Sequence, residues 1–238
     1  MIAVRASGQR GQADYGWLRA RYSFSFADYL DPAETGWGAL RVINEDLVAP
    51  GQGFPMHGHR DMEILTLVLS GALEHRDSLG NGAVIRPGEI QRMSAGTGVR
   101  HSEFNPSTEE ATHLLQIWIR PRTAGASPGY EQRAFPLQEG ASLLASPDGR
   151  DGSARIGQEA TLTRIRLAAG EEFIASLAPG RLGYVHTIAG SLTATAVSGR
   201  YAVSAGDGLK VADEAAVSLV ADTATEVPVD LLWFDLPA

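Results

Sequence analysis

Residues 54–89 read FPMHGHRDMEILTLVLSGALEHRDSLGNGAVIRPGE, and their punctuation decides the class of fold. Two short apolar runs stand out, Ile64–Leu69, which ends at Ser70-Gly71, and Ala83–Ile85, which lies between the glycine-rich turns Ser78-Leu-Gly-Asn-Gly82 and Arg86-Pro-Gly88. Runs of that length, rich in β-branched residues and broken by glycine or proline about every ten residues, predict strands of a sandwich or barrel. Outward from this stretch the pattern continues. Tyr22-Ser-Phe-Ser-Phe26 and parts of Leu40–Asn44 alternate apolar with polar, and Leu114–Ile119 and Thr161–Leu167 are further short apolar runs. With 27 glycines and 12 prolines in 238 residues, an all-β chain with little helix is expected.

Composition narrows the chemistry. The chain has no cysteine, so disulfides, thiolate nucleophiles and iron–sulfur clusters are excluded and any metal must sit on nitrogen and oxygen. A net charge of −8 argues against direct nucleic-acid binding and against attraction to an anionic membrane. The opening MIAVRASGQRGQADYG lacks the apolar core of a signal peptide, and no apolar run approaches the roughly 20 residues of a membrane span, so a cytoplasmic location is expected.

The length suits two domains. Between Arg120 and Pro136 lies PRTAGASPGYEQRAF, which has no apolar periodicity and divides the chain nearly in half. The expected division is residues 1–122, a linker at 123–136, and residues 137–238. The halves repeat weakly: Gly71-Ala-Leu and Gly88-Glu parallel Gly190-Ser-Leu and Gly206-Asp, 17 and 16 residues apart. Each half closes on an apolar strand with tryptophan and then proline, Trp118 to Pro121 and Trp233 to Pro237.

Two histidine pairings carry the chemistry. His57 and His59 are two residues apart, which on a strand places both imidazoles on one face; His101 and Glu103 repeat the spacing. Three imidazoles and one carboxylate suit iron, nickel, copper, manganese or zinc rather than calcium or magnesium. Glu63 shares the odd-number parity of His57 and His59 and is a competing fourth or fifth ligand. The isolated His75, His113 and His186 are read as ordinary core or surface residues.

Gly51-x5-His57-x-His59-x3-Glu63 and Gly98-x2-His101-x3-Asn105 resemble the two cupin motifs, although Gly96 stands where proline is usual. The strings SFSFADYLDP, GALRVINEDLVAPG, FPMHGHRDMEI, GALEHRDSLGNG and IRPGEIQRMSAGTGVRHSEFN resemble the pirin family over most of residues 20–120. That resemblance implies two cupin-type barrels (double-stranded β-helix, jelly-roll) in one chain. It implies one divalent metal, iron(II) first and nickel, copper, manganese, cobalt or zinc after it, held by His57, His59, His101 and Glu103. Glu63 then falls to a supporting or substrate-contact role.

Counting across the repeat places Ser176, Ala178, Leu219 and Ala221 where the first half has its ligands, so the second barrel is expected to be metal-free. Four protein ligands leave one or two coordination positions for substrate or dioxygen. The resemblance implies quercetin 2,3-dioxygenase activity on a flat flavonol; of the residues present, Glu103 is the natural one to take the 3-hydroxyl proton. The alternative it implies is a non-catalytic, iron-dependent regulator that binds a transcription factor or enzyme. Phe54, Met56, Leu65 and Phe104 neighbour the ligands in sequence, but alternation singles out none of them as a pocket wall.

Overall fold

A computed structural model describes residues 1–135, 137–224 and 227–238. In chain order the strands of the first half are β1 (Ile2–Arg5), β2 (Gly11–Asp14), β3 (Leu18–Tyr22), β4 (Leu40–Val48), β5 (Gly53–His59), β6 (Glu63–Ser70), β7 (Leu73–Asp77), β8 (Gly82–Ile85), β9 (Glu89–Ser94), β10 (Val99–Phe104), β11 (Thr112–Ile119) and β12 (Gly129–Ala134). Those of the second are β13 (Gly140–Ser146), β14 (Ala154–Arg155), β15 (Thr161–Leu167), β16 (Glu172–Ser176), β17 (Arg181–Ala189), β18 (Ser191–Ala196), β19 (Gly199–Ser204), β20 (Gly208–Val211), β21 (Ala216–Ala221) and β22 (Val229–Pro237). Among the described residues the only helices are two 3-10 turns. None is long and apolar enough to cross a membrane.

Each half is a seven-stranded sheet packed on a four-stranded one, the two-barrel architecture expected. The large sheets run β12-β9-β6-β11-β4-β3-β2 and β1-β20-β17-β22-β15-β13-β14; the small ones run β5-β10-β7-β8 and β16-β21-β18-β19. The orders match strand for strand at their centres, so the weak sequence repeat reflects a repeated fold. Its glycines have a backbone reason: Gly71 and Gly190 sit at φ +78 and +77, Gly88 and Gly206 at +87 and +82, left-handed values that side chains disfavour.

The large sheets face each other. Leu65, Leu67, Ile117 and Ile119 of the first half share one buried core with Leu162, Leu232, Phe234 and Leu236 of the second. This explains why Ile64–Leu69 is a continuous apolar run: Leu65 and Leu67 meet the other half while Ile64 and Val68 pack on their own side of the sheet. In β10 of the small sheet, by contrast, Val99, His101 and Glu103 are buried while Arg100 is exposed.

Three expectations need correction. The stretch 123–136 contains strand β12, which pairs with β9 from Gly129↔Ser94 to Ala134↔Glu89 and completes the first large sheet; its last residue, Pro136, lies outside the described residues. Apolar periodicity missed β12 because it is an edge strand with little apolar surface to bury. Residues 2–5, assigned to the first domain, form β1 and pair with β20 of the second half. The alternation of Tyr22–Phe26 ends as a strand at Tyr22; Phe24 then packs against Tyr184 of the second half at 5.6 Å.

Candidate metal centre

Strands β5 and β10 run antiparallel with His57 opposite His101 and His59 opposite Val99. The shared face therefore brings together three imidazoles, with ring centroids 4.4 Å (His57–His101), 4.8 Å (His57–His59) and 4.8 Å (His59–His101) apart. Their ligating nitrogens lie within 4.8 Å of one another. A register shift between His101 and Glu103 places Glu103 opposite Phe54. Glu103 groups with His101 and with His75, all three again within 4.8 Å.

Two of the three rings are oriented by hydrogen bonds. His57 Nδ1–H donates to Pro55 O at 2.8 Å, leaving Nε2 free to bind. His75 Nε2 lies 3.2 Å from Asp77 Oδ2, and His101 Nδ1 lies 3.4 Å from His75 Nδ1. A carboxylate only accepts, so the proton on this side of His75 belongs on Nε2; His75 Nδ1 then accepts from His101 Nδ1–H. His101 Nε2 is thereby left unprotonated, buried and without a hydrogen-bond partner. Such an orphaned imidazole nitrogen between two other imidazoles fits a transition-metal ion.

The turn after β7 serves this chain. Asn81 donates from Nδ2 to Asp77 Oδ2 at 2.8 Å and from its backbone to Oδ1 at 2.9 Å, and Leu79 N donates to Oδ1 at 2.9 Å. Burial would raise the Asp77 pKa, but these bonds and the one from His75 hold it below its usual value. Burial, then the neighbouring imidazoles, pushes His101 down to about 2 and His59 down to about 4, so both rings are neutral ligands near pH 7.

Glu103 is buried, and its Oε1 accepts from Gln116 Nε2 at 2.7 Å. Burial raises its pKa to about 7 against the opposing effect of Gln116. Asp46 on β4 is pushed up to about 8, by burial first and then by the charges of Glu103 and Glu45.

These groups line a cavity of about 490 Å³, a size typical of small-molecule sites. Its wall is aromatic: Trp17 meets Phe54 edge-on at 5.2 Å, and Trp118 packs against Phe26 at 5.4 Å and His59 at 4.9 Å. Of the residues beside the ligands in sequence, Phe54 and Met56 line it, while Leu65 belongs to the core between the halves.

Glu63 is placed elsewhere. Parity carries along one strand only, and Asp61, at φ +50, turns the chain out of β5 into the other sheet. The Glu63 carboxylate accepts from Ser94 Oγ at 2.7 Å and lines a separate cavity with Arg92, Arg155 and Gly157. Burial raises its pKa. His75, read as an ordinary residue, stands directly behind His101; the signal that pointed to it was its own i, i+2 pairing with Asp77. His113 bonds Glu45 at 3.0 Å, and His186 is buried in the second half. At the repeat-equivalent positions of the second half, Leu219 and Ala221 are packed in its apolar core with Ile165, Leu231 and Trp233. Among the described residues, both His/Glu groups lie in the first half.

The profile of the Pirin family matches residues 3–119, and that of the quercetinase C-terminal cupin domain matches residues 143–236. The chain is similar to the quercetin 2,3-dioxygenase of Escherichia coli (strain K12), 47% identical over 237 residues that cover 100% of this chain and 99% of the relative. It is 40% identical to a pirin-like protein of Caulobacter vibrioides, covering 93% and 95% of the two chains. Among solved structures it superposes on the bacterial pirin YhhW from Escherichia coli in complex with nickel(II), with a TM-score of 0.93, 46% identity, and coverage of 100% and 99%.

Proposed function

The chain belongs to the pirin family, and on that premise we propose that it is a metal-dependent dioxygenase that opens flavonols such as quercetin with dioxygen and releases carbon monoxide. The observation that carries this reading is the convergence of His57, His59 and His101 within one aromatic-walled cavity that also holds Glu103. His57, His59, His101 and Glu103 hold one divalent ion, iron(II) in our reading, with nickel, copper, manganese, cobalt and zinc compatible with the same donors. The nickel(II) complex of YhhW supports metal binding by this chain.

A bound ion would supply Lewis acidity that lowers the pKa of a flavonol 3-hydroxyl. The residues do the rest. Glu103 is the carboxylate placed in this cavity to accept that hydroxyl proton, and Gln116 keeps it oriented. Trp17, Phe26, Phe54 and Trp118 give a flat aromatic ring system apolar surfaces to pack on and exclude water from it. The Asp77–His75 pair keeps His101 in the tautomer that binds metal. Glu63 has no part, since its carboxylate lines another cavity.

The test is direct: protein loaded with iron(II) and given quercetin in air should consume its visible absorbance with stoichiometric carbon monoxide. No turnover of quercetin or related flavonols, in protein proven to contain the ion, overturns the enzyme reading and leaves the family's partner-binding regulator.

A further inference from the structure

The floor of the cavity is polar, and nothing in the mechanism above uses most of it. Tyr22, Asn44, Gln116 and Thr66 form one rung across β3, β4, β11 and β6, each opposite the next. Asp46 lies two residues beyond Asn44, on the same face of β4. Asn44 Oδ1, Asp46 Oδ1 and Gln116 Oε1 are all buried, all without a hydrogen-bond partner in the protein, and their residues all line the metal cavity. Their residues are 4%, 3% and 7% exposed. The Gln116 amide cannot turn to relieve its oxygen, because its nitrogen is committed to Glu103.

Leaving three acceptors unpaired costs stability. Unpaired acceptors call for donors. Asn44 and Gln116 are directly opposite, which sets their Cβ atoms about 4.5–5.5 Å apart, with Asp46 further along the strand. That spread suits several hydroxyls on one ring system better than a single one. The aromatic wall excludes a strongly hydrated guest and favours a flat one.

We propose that Asn44, Asp46 and Gln116 are specificity-determining residues that accept hydrogen bonds from phenolic hydroxyls of the ligand remote from its metal-chelating pair, so that the site selects polyhydroxylated flavonols. The inference rests on the flavonol reading above and adds which flavonols are taken. A site built to bond a hydroxyl discriminates strongly against the analogue that lacks it, because its own buried groups are then left unpaired.

The experiment is anaerobic equilibrium binding to the metal-loaded full chain, followed by quenching of tryptophan fluorescence. Quercetin is compared with 3-hydroxyflavone, which has the chelating pair and no other hydroxyl. Wild-type protein should bind quercetin at least about tenfold more tightly, equivalent to about 1.4 kcal/mol. Asn44→Leu and Asp46→Leu should each remove most of that preference by weakening quercetin and sparing 3-hydroxyflavone. Asp46→Asn, which keeps an acceptor, should retain it. Metal content should be unchanged in all three, and Asn44→Leu should melt no lower than wild type, because it deletes an unpaired buried acceptor.

Equal affinity of the wild type for the two flavonols overturns the inference while leaving the flavonol reading intact, and needs no variant to fold. Equal weakening of both ligands by the leucine variants overturns it too, since that marks a merely structural role. Binding of neither flavonol to protein of proven metal content overturns both readings.

Discussion

His75 Nδ1 lies 3.4 Å from His101 Nδ1, and the far side of the His75 ring is tied to Asp77 at 3.2 Å. Two histidines of different strands are thus joined through their δ nitrogens, with a carboxylate setting the direction of the proton. The next-door ring therefore chooses the tautomer of His101.

Breaking this pairing should weaken the metal without unfolding the barrel. His75→Phe and Asp77→Asn are expected to lower metal affinity by about 10–100-fold. Competition with a chromophoric chelator measures it. Affinity within a factor of two of wild type would show that His101 needs no such partner.

Stoichiometry separates the two barrels. Metal analysis of protein purified without a histidine tag should give one ion per chain. His101→Ala should remove it while the β-type circular dichroism persists; His186→Ala, in the second half, should leave it in place. Two ions per chain, or a bound ion surviving in His101→Ala, would contradict the assignment.

The metal-free protein should lose stability between pH 6.5 and pH 8. Asp46 and Glu103 have folded pKa values of about 8 and 7, raised from ordinary values of 3.8 and 4.5. The folded state therefore keeps protons that the unfolded chain has released, and stability falls as pH rises through this range. His59, His101 and His186 act oppositely: depressed from 6.5 to about 4, 2 and 3, they cost stability only below pH 6.5. Above pH 6.5 the carboxylates act alone. Thermal melts of chelator-treated protein test this, and Asp46→Asn should flatten the decline.

Gln116→Leu should move the acidic limb of the pH profile of kcat/KM to higher pH. The Gln116 amide stabilises the Glu103 carboxylate, so deleting it raises the pKa of the proposed base and demands a higher pH for the same ionised fraction. Quercetin consumption followed from pH 5 to 9 gives the limb. A limb moved to lower pH would remove Glu103 from the role of base.

In the second half, Arg164 grips Asp230 through two bonds, Nε to Oδ1 at 2.8 Å and Nη2 to Oδ2 at 2.6 Å, both groups being buried. Asp230→Ala strands the guanidinium and should cost about 3–5 kcal/mol in denaturant unfolding, with metal stoichiometry unchanged.

What the sequence determined by itself is what a single strand encodes. Side chains alternate with a period of two, so His57-x-His59 and His101-x-Glu103 declare shared faces without reference to the rest of the chain, and glycine turns declare where strands end. The repeat was legible for the same reason, because Gly71 and Gly190, like Gly88 and Gly206, answer a local need for left-handed backbone. Only the tertiary structure decided that Glu63 leaves the ligand face, that β1 and β12 complete sheets away from where composition put them, that His75 stands behind His101, and that Asn44, Asp46 and Gln116 floor the cavity. Each of these depends on which distant strand lies alongside and on what fills the opposite face. Closure of the barrel sets both, and no stretch of chain carries that closure alone.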